Sequence, residues 1–200
     1  MKLNSLKLFD GFLFSDLKYL MAYSIPLTAI FGFYMGGYWL LTTPIYIFLI
    51  IPIIEHLLTF LKIDDLEKGR INKSTHRIFD LMLYINIPLV YGILIYALIF
   101  LRNKDLFSVE FFTSILTVGL LVGTNGINVA HELCHRSKKY EKFLGKFLLI
   151  PSLYMHFYLE HIFGHHLNVA TKEDPVTAKY NQPLYSFWLS AIKGEILSAI

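Results

Sequence analysis

The chain has 200 residues, of which 55% are hydrophobic and only 16% charged, with a formal net charge of +3. An ordinary soluble domain carries about 25% charged residues, so the composition excludes a simple water-soluble globule and points to a polytopic membrane protein. The small positive balance calls for no nucleic-acid partner, and the single cysteine excludes an internal disulfide.

Residues 1–18 are polar-flanked and carry Lys2, Lys7, Lys18, Asp10 and Asp16. They lack the layout of a signal peptide, because the apolar run that follows is long and no small-residue cleavage site ends it. Four membrane spans are predicted next: 19–38, closed by Gly36-Gly37; 39–61, with Pro44 and Pro52 inside; 78–101, with Asp80, Asn86 and Pro88 in its first half; and 111–130, which runs into His131. Each is close to the roughly 20 residues that cross the hydrocarbon as a helix. The run 143–159 is shorter and interrupted by Lys146 and Pro151, which suits a segment that dips into the membrane or lies beside it. Residues 184–200 read as an amphipathic helix without a closing cap, as if the chain stopped in mid-element.

Charges in the connections set the expected orientation. The 62–77 loop holds Lys62, Lys68, Arg70, Lys73 and Arg77, and the stretch after the fourth span holds Arg136, Lys138, Lys139, Lys142 and Lys146. Counting cations puts the N-terminus, that loop and the region from His131 onward on the cytoplasmic side. No repeat or linker interrupts the chain. The expectation is one all-α membrane domain over 1–200, a helical bundle with spans over 1–130 and a metal-binding region over 131–200.

The chemistry-bearing residues are concentrated. Five of the eight histidines fall in two clusters, His131-Glu132-Leu133-Cys134-His135 and Glu160-His161-Ile162-Phe163-Gly164-His165-His166. Imidazole is the commonest ligand for borderline metals, and ionisable groups at a membrane are costly and usually functional. On α-helices His131 and His135 share a face, His161 and His165 share another, and His166 points about 100° away from His165. Five imidazoles exceed the needs of one four-coordinate zinc and suit two ions better. Glu132 and Glu160 are read as ligands, as acceptors that orient imidazole N–H groups, or as interfacial charges, the acceptor role being favoured because ligating histidines donate their other N–H. Asn128 lies one turn above His131, as a hydrogen-bonding or a packing residue. Glu173 and Asp174, in a turn closed by Pro175, are read as an ordinary turn, a cap on the metal site or a docking surface. A rival reading remains open, since His-Glu-Leu-Cys-His also fits the H-E-x-x-H helix of a zinc protease with Glu132 as base.

The segment 128–136 resembles the first histidine box of the alkane 1-monooxygenases. Residues 160–175, with the tail Gly164-His165-His166-Leu167-Asn168-Val169-Ala170-Thr171-Lys172-Glu173-Asp174-Pro175, resemble their second box. The likeness is specific over about 128–178 and general over 1–127. It implies a membrane-embedded di-iron enzyme, with His131, His135, His161, His165 and His166 as ligands, that uses O2 to hydroxylate the terminal methyl of an n-alkane to a primary alcohol. Electrons would come from rubredoxin and an NAD(P)H-dependent rubredoxin reductase. The apolar substrate would enter from the bilayer, which for a bacterial enzyme means the inner membrane. Fatty-acyl and xylene-type hydroxylases or desaturases are the alternatives within the same group. The family's later N-Y-x-E-H-Y-G segment and H-x-x-H-H box do not occur before Ile200. The resemblance therefore predicts an N-terminal part of a longer enzyme. The substrate-lining residues are not identified by the motifs.

Overall fold

The computed structural model describes residues 14–60 and 77–199. The polar-flanked N-terminus up to residue 13, His76 and all of the basic loop except Arg77 lie outside the described residues. Every regular element described is helical. We number them α1 Ser24–Met35, entered through a 3-10 segment Phe14–Tyr23; α2 Gly37–Phe60; α3 Arg77–Leu101; α4 Val109–His135; α5 Lys139–Leu149; α6, residues 157–168; and α7 Leu184–Ser198. The chain divides into two units, Met1–Asn125 and Gly126–Ile200.

Three of the four predicted spans, α2, α3 and α4, are long and apolar enough to cross a membrane, at 24, 25 and 27 residues. The first predicted span is a shorter apolar helix, Tyr19–Met35. It stops at Gly36, whose φ of 69° starts a reversal continued by Gly37 at φ 56°. L-residues avoid that left-handed region, so the Gly-Gly pair fixes the turn between α1 and α2. The Gly37 N–H donates to Glu110 Oε1 at 3.0 Å, and Glu110 is also paired with Lys104.

The core of the first unit is Ala29, Phe33, Leu40, Ile93, Ala97 and Leu121. Gly32 lets α1 approach the start of α2, since a Cβ there would lie 2.9 Å from the Trp39 carbonyl oxygen. Several polar groups inside the bundle are paired, as a hydrocarbon surrounding favours. The Thr117 hydroxyl donates to Leu40 O at 2.7 Å, and Tyr23 Oη donates to Met82 O at 2.6 Å. Asn125 Nδ2 donates to Asn86 Oδ1 and to Ala22 O, each at 2.9 Å, while Asn86 Nδ2 donates to Met82 O at 2.8 Å. Asn125 sits in a π-turn, Val122–Ile127, inside α4. Replacing Asn125 by Leu strands the Asn86 acceptor. It is expected to lower stability in detergent unfolding by about 1 kcal/mol.

In the second unit α5 folds back on the end of α4, Asn128–His135. The contact is made at Gly145, where a Cβ would lie 2.9 Å from both the Ala130 carbonyl oxygen and Cys134 Sγ. Ala130, Leu133, Cys134, Leu148 and Leu149 are buried there. The expected apolar run 143–159 is thus two helical pieces, α5 and the start of α6, separated by a turn at 150–156. Asp174 is buried within the unit, and Gly194 of α7 is tight against Pro175.

Candidate metal centre

His131 and His135 lie one turn apart on the last α-helical stretch of α4. The second histidine cluster is not α-helical. Residues Glu160–His165 form a π-turn, in which hydrogen bonding from i to i+5 brings residues five apart onto nearly the same face. His161 and His166 are five apart. His166 Nε2 therefore lies 3.1 Å from His161 Nε2 and 3.3 Å from His135 Nε2. His161 Nε2 is also 2.8 Å from His131 Nε2 and 3.0 Å from His135 Nε2, and His131 and His135 are 3.2 Å apart. The donor atoms of His131, His135 and His161 are all mutually close. Phe157 stacks on the His161 ring at 4.7 Å and fixes its plane.

His165 does not join these Nε2 contacts. Its ring is stacked 5.5 Å from that of His161, and its Nδ1 lies 3.0 Å from Asp174 Oδ2. With Nδ1–H donating to that carboxylate, Nε2 keeps its lone pair for a ligand. Asp174 is itself held by the Thr177 hydroxyl and by the Val176 N–H at 3.0 Å. Burial alone would raise the Asp174 carboxyl, but hydrogen bonds from Thr177, His165 and Val176 outweigh it and hold the group below the usual carboxylate range. A depressed carboxyl stabilises the fold above its unfolded pKa of about 4, and the contribution is lost as pH falls through the folded value. Asp174→Asn is therefore expected to blunt the acid limb of thermal stability measured against pH. It should also lower metal affinity about 10-fold or more, read by competition with a chelator.

The remaining sequence candidates are placed as follows. Glu160 is buried, and neither of its carboxylate oxygens has a hydrogen-bond partner among the described residues. Burial raises its carboxyl, with Glu195 and Asp174 adding to the effect. Glu132 turns outward, with Oε1 3.1 Å from Arg136 Nη2. Asn128 is exposed, as is Glu173, whose carboxyl is lowered by a hydrogen bond from Thr171. Sequence reasoning missed Thr177, which was detectable as a hydroxyl three residues after a turn aspartate. It also missed the pair of Tyr154 and Glu195, in which the hydroxyl donates to a buried carboxylate 41 positions away; no local pattern announces such a pair.

Imidazole nitrogens this close repel unless protons or a cation lie between them. Desolvation, with the neighbouring imidazoles adding to it, lowers the His161 pKa to about 4, so this ring is neutral at physiological pH, the form that binds metal. Nitrogens about 2.1 Å from a metal are separated by about 3.0 Å at right angles and about 3.4 Å in a tetrahedron. The observed separations of 2.8–3.3 Å suit that geometry. The cluster opens to the outside along the His135 and His166 edge.

Among the described residues the fold is that of an all-helical membrane protein, with a histidine cluster that could hold a metal ion. Residues 107–199 match the family model described as fatty acid desaturase, and the chain is similar to several alkane 1-monooxygenases. It is 32% identical to the alkane 1-monooxygenase of Acinetobacter baylyi over 185 residues, covering 88% of this chain and 41% of that protein. It is 38% identical to alkane 1-monooxygenase 2 of Pseudomonas aeruginosa over 114 residues, 56% of this chain and 30% of that protein. The hydroxylase component of the xylene/toluene monooxygenase of Pseudomonas putida is 28% identical over 196 residues, covering 92% and 48% of the two chains. The chain spans less than half the length of these curated relatives.

Proposed function

We propose that this chain holds the first ligands of a non-haem di-iron centre in a membrane monooxygenase that converts n-alkanes to primary alcohols. The observation that carries this reading is the convergence of Nε2 of His131, His135, His161 and His166, with His165 beside them on Asp174. Bound iron would supply the reduction of O2 that attack on an unactivated methyl group requires. The protein's share is positional. Phe157 and the π-turn orient His161, Asp174 fixes the proton of His165 on Nδ1, and the low pKa of His161 keeps protons from competing with the metal. We place the centre at the cytoplasmic face of the inner membrane, from the cations that follow α4, with rubredoxin and its NAD(P)H-dependent reductase as the electron source. An alkyl substrate would partition in from the bilayer, each buried CH2 contributing about 0.8 kcal/mol.

The similarity to the xylene/toluene enzyme and the match to the fatty acid desaturase model favour one second reading, a hydroxylase of aromatic methyl or fatty-acyl groups. The zinc-protease reading would need Glu132 to face the metal, whereas Glu132 is engaged by Arg136 on the outer side. Metal analysis of the detergent-purified, full-length form tests the proposal: two irons per chain are expected, and a single zinc would overturn it. Product analysis with octane, xylene and a fatty acid then separates the two readings, with 1-octanol expected from the first.

A further inference from the structure

Away from the histidines, the surface of α5 has three distinct arcs at 3.6 residues per turn. One arc, with Gly145, Leu148 and Leu149, is buried against α4. A second arc of about 60° holds Lys139, Lys142 and Lys146. A third, adjoining and about 80° wide, holds Tyr140, Phe143, Phe147 and Ile150, of which Phe143 is 62% exposed.

The apolar arc continues into the turn that follows. Tyr154 N donates to Leu149 O and Leu153 N to Ile150 O, the pair of bonds that defines a Schellman motif. Glycine ordinarily occupies its left-handed position. Here Leu153 does, at φ 54° and 87% exposed. Leucine there strains the backbone and thrusts an isobutyl group into the surroundings, which water penalises and a hydrocarbon boundary rewards.

The setting decides between those media. Span α4 ends at His135 and α5 starts at Lys139, so α5 begins where the chain leaves the bilayer. The charge on this unit's surface is mainly cationic, because Glu141, Glu160, Asp174 and Glu195 are all buried. An aromatic and aliphatic arc beside a lysine edge is the signature of a helix lying in the membrane interface. Lysines at that depth attract anionic headgroups.

We propose that α5 and the Leu153 turn dock on the membrane surface. Phe143, Phe147, Ile150 and Leu153 enter the acyl boundary, and Lys139, Lys142 and Lys146 bind the phosphates of anionic phospholipids. This proposal is independent of the metal reading and of any activity.

The test uses the full chain in nanodiscs of phosphatidylcholine and phosphatidylglycerol, with spin labels at Phe143→Cys, Leu153→Cys and, as a water reference, Tyr180→Cys. Cys134 is buried and out of reach of the label. Labels at 143 and 153 should be relaxed by O2 in preference to a water-soluble nickel chelate, and the label at 180 by the chelate. Native mass spectrometry should show retained phosphatidylglycerol exceeding phosphatidylcholine. The preference should fall about tenfold or more when the three lysines become Gln, and persist when they become Arg. The proposal is overturned if 143 and 153 are as open to the chelate as 180. Shielding from both reagents, meaning that protein covers this face, or an unchanged lipid preference in the Gln variant would overturn it equally.

Discussion

Replacing His161 by alanine is expected to abolish metal binding in the second unit, lowering affinity by more than about a hundredfold. Loss of a group that merely orients a ligand costs about 10- to 100-fold, and His161 is central to the donor set. Its Nε2 touches those of His131, His135 and His166, and its ring is sandwiched between Phe157 and His165. Removing it opens the middle of the cluster, and the His165 ring stacked against it is held on Asp174 instead. Chelator competition on the purified protein reads the change, and His56→Ala, on the exposed surface of α2, should leave affinity unaltered. Equal metal retention by the His161 and His56 variants would remove the cluster as the binding site.

Gly145→Val is expected to be the most damaging single substitution in the second unit outside the histidines. The new Cβ would press on the Ala130 carbonyl oxygen and on Cys134 Sγ, each 2.9 Å away, and on Leu133 Cβ at 3.1 Å. Two of these belong to residues with no exposed surface, and the carbonyl is backbone inside a helix, so neither side can give way cheaply. Overpacking of this kind costs about 1–3 kcal/mol, which for a chain of this size lowers Tm by roughly 2–4 °C per kcal/mol. Because Ala130 and Cys134 immediately precede His131 and His135, the same displacement should also weaken metal binding. Thermal unfolding in detergent, with and without metal, measures both effects. Gly92→Ala, with open space around its Cβ, is the mild control.

Much of the membrane architecture was legible because length and hydropathy alone constrain a helix that must cross a bilayer. The stop of the first span at Gly36-Gly37 was legible too, since glycine tolerates the left-handed angles that close the helix; the helix before it is shorter than the other three. The two histidine clusters were conspicuous in sequence, yet the assignment of faces in the second rested on a period of 3.6. The π-turn changes that period, so His166, expected to point away, meets His161 and His135, while His165 is turned to Asp174. Glu132 and Glu160 occupy similar places in the two sequence clusters but have opposite fates, one at an exposed ion pair and one buried. Only the tertiary packing of α6 distinguishes them. The Asn86–Asn125 pair, 39 positions apart, was similarly out of reach of local reasoning.

The π-turn at Glu160–His165 amounts to one surplus residue in an otherwise ordinary helix. Deleting Phe163 would relieve the surplus and leave His161 and His166 in step on a regular α-helical coil, with His165 rotated off the side occupied by Asp174. The extra residue thus works as a spacer that lets two adjacent histidines serve different neighbours. A helix without it would gain regular hydrogen bonding at the expense of one well-oriented imidazole. Lineages that shed the spacer would be expected to change Asp174 as well.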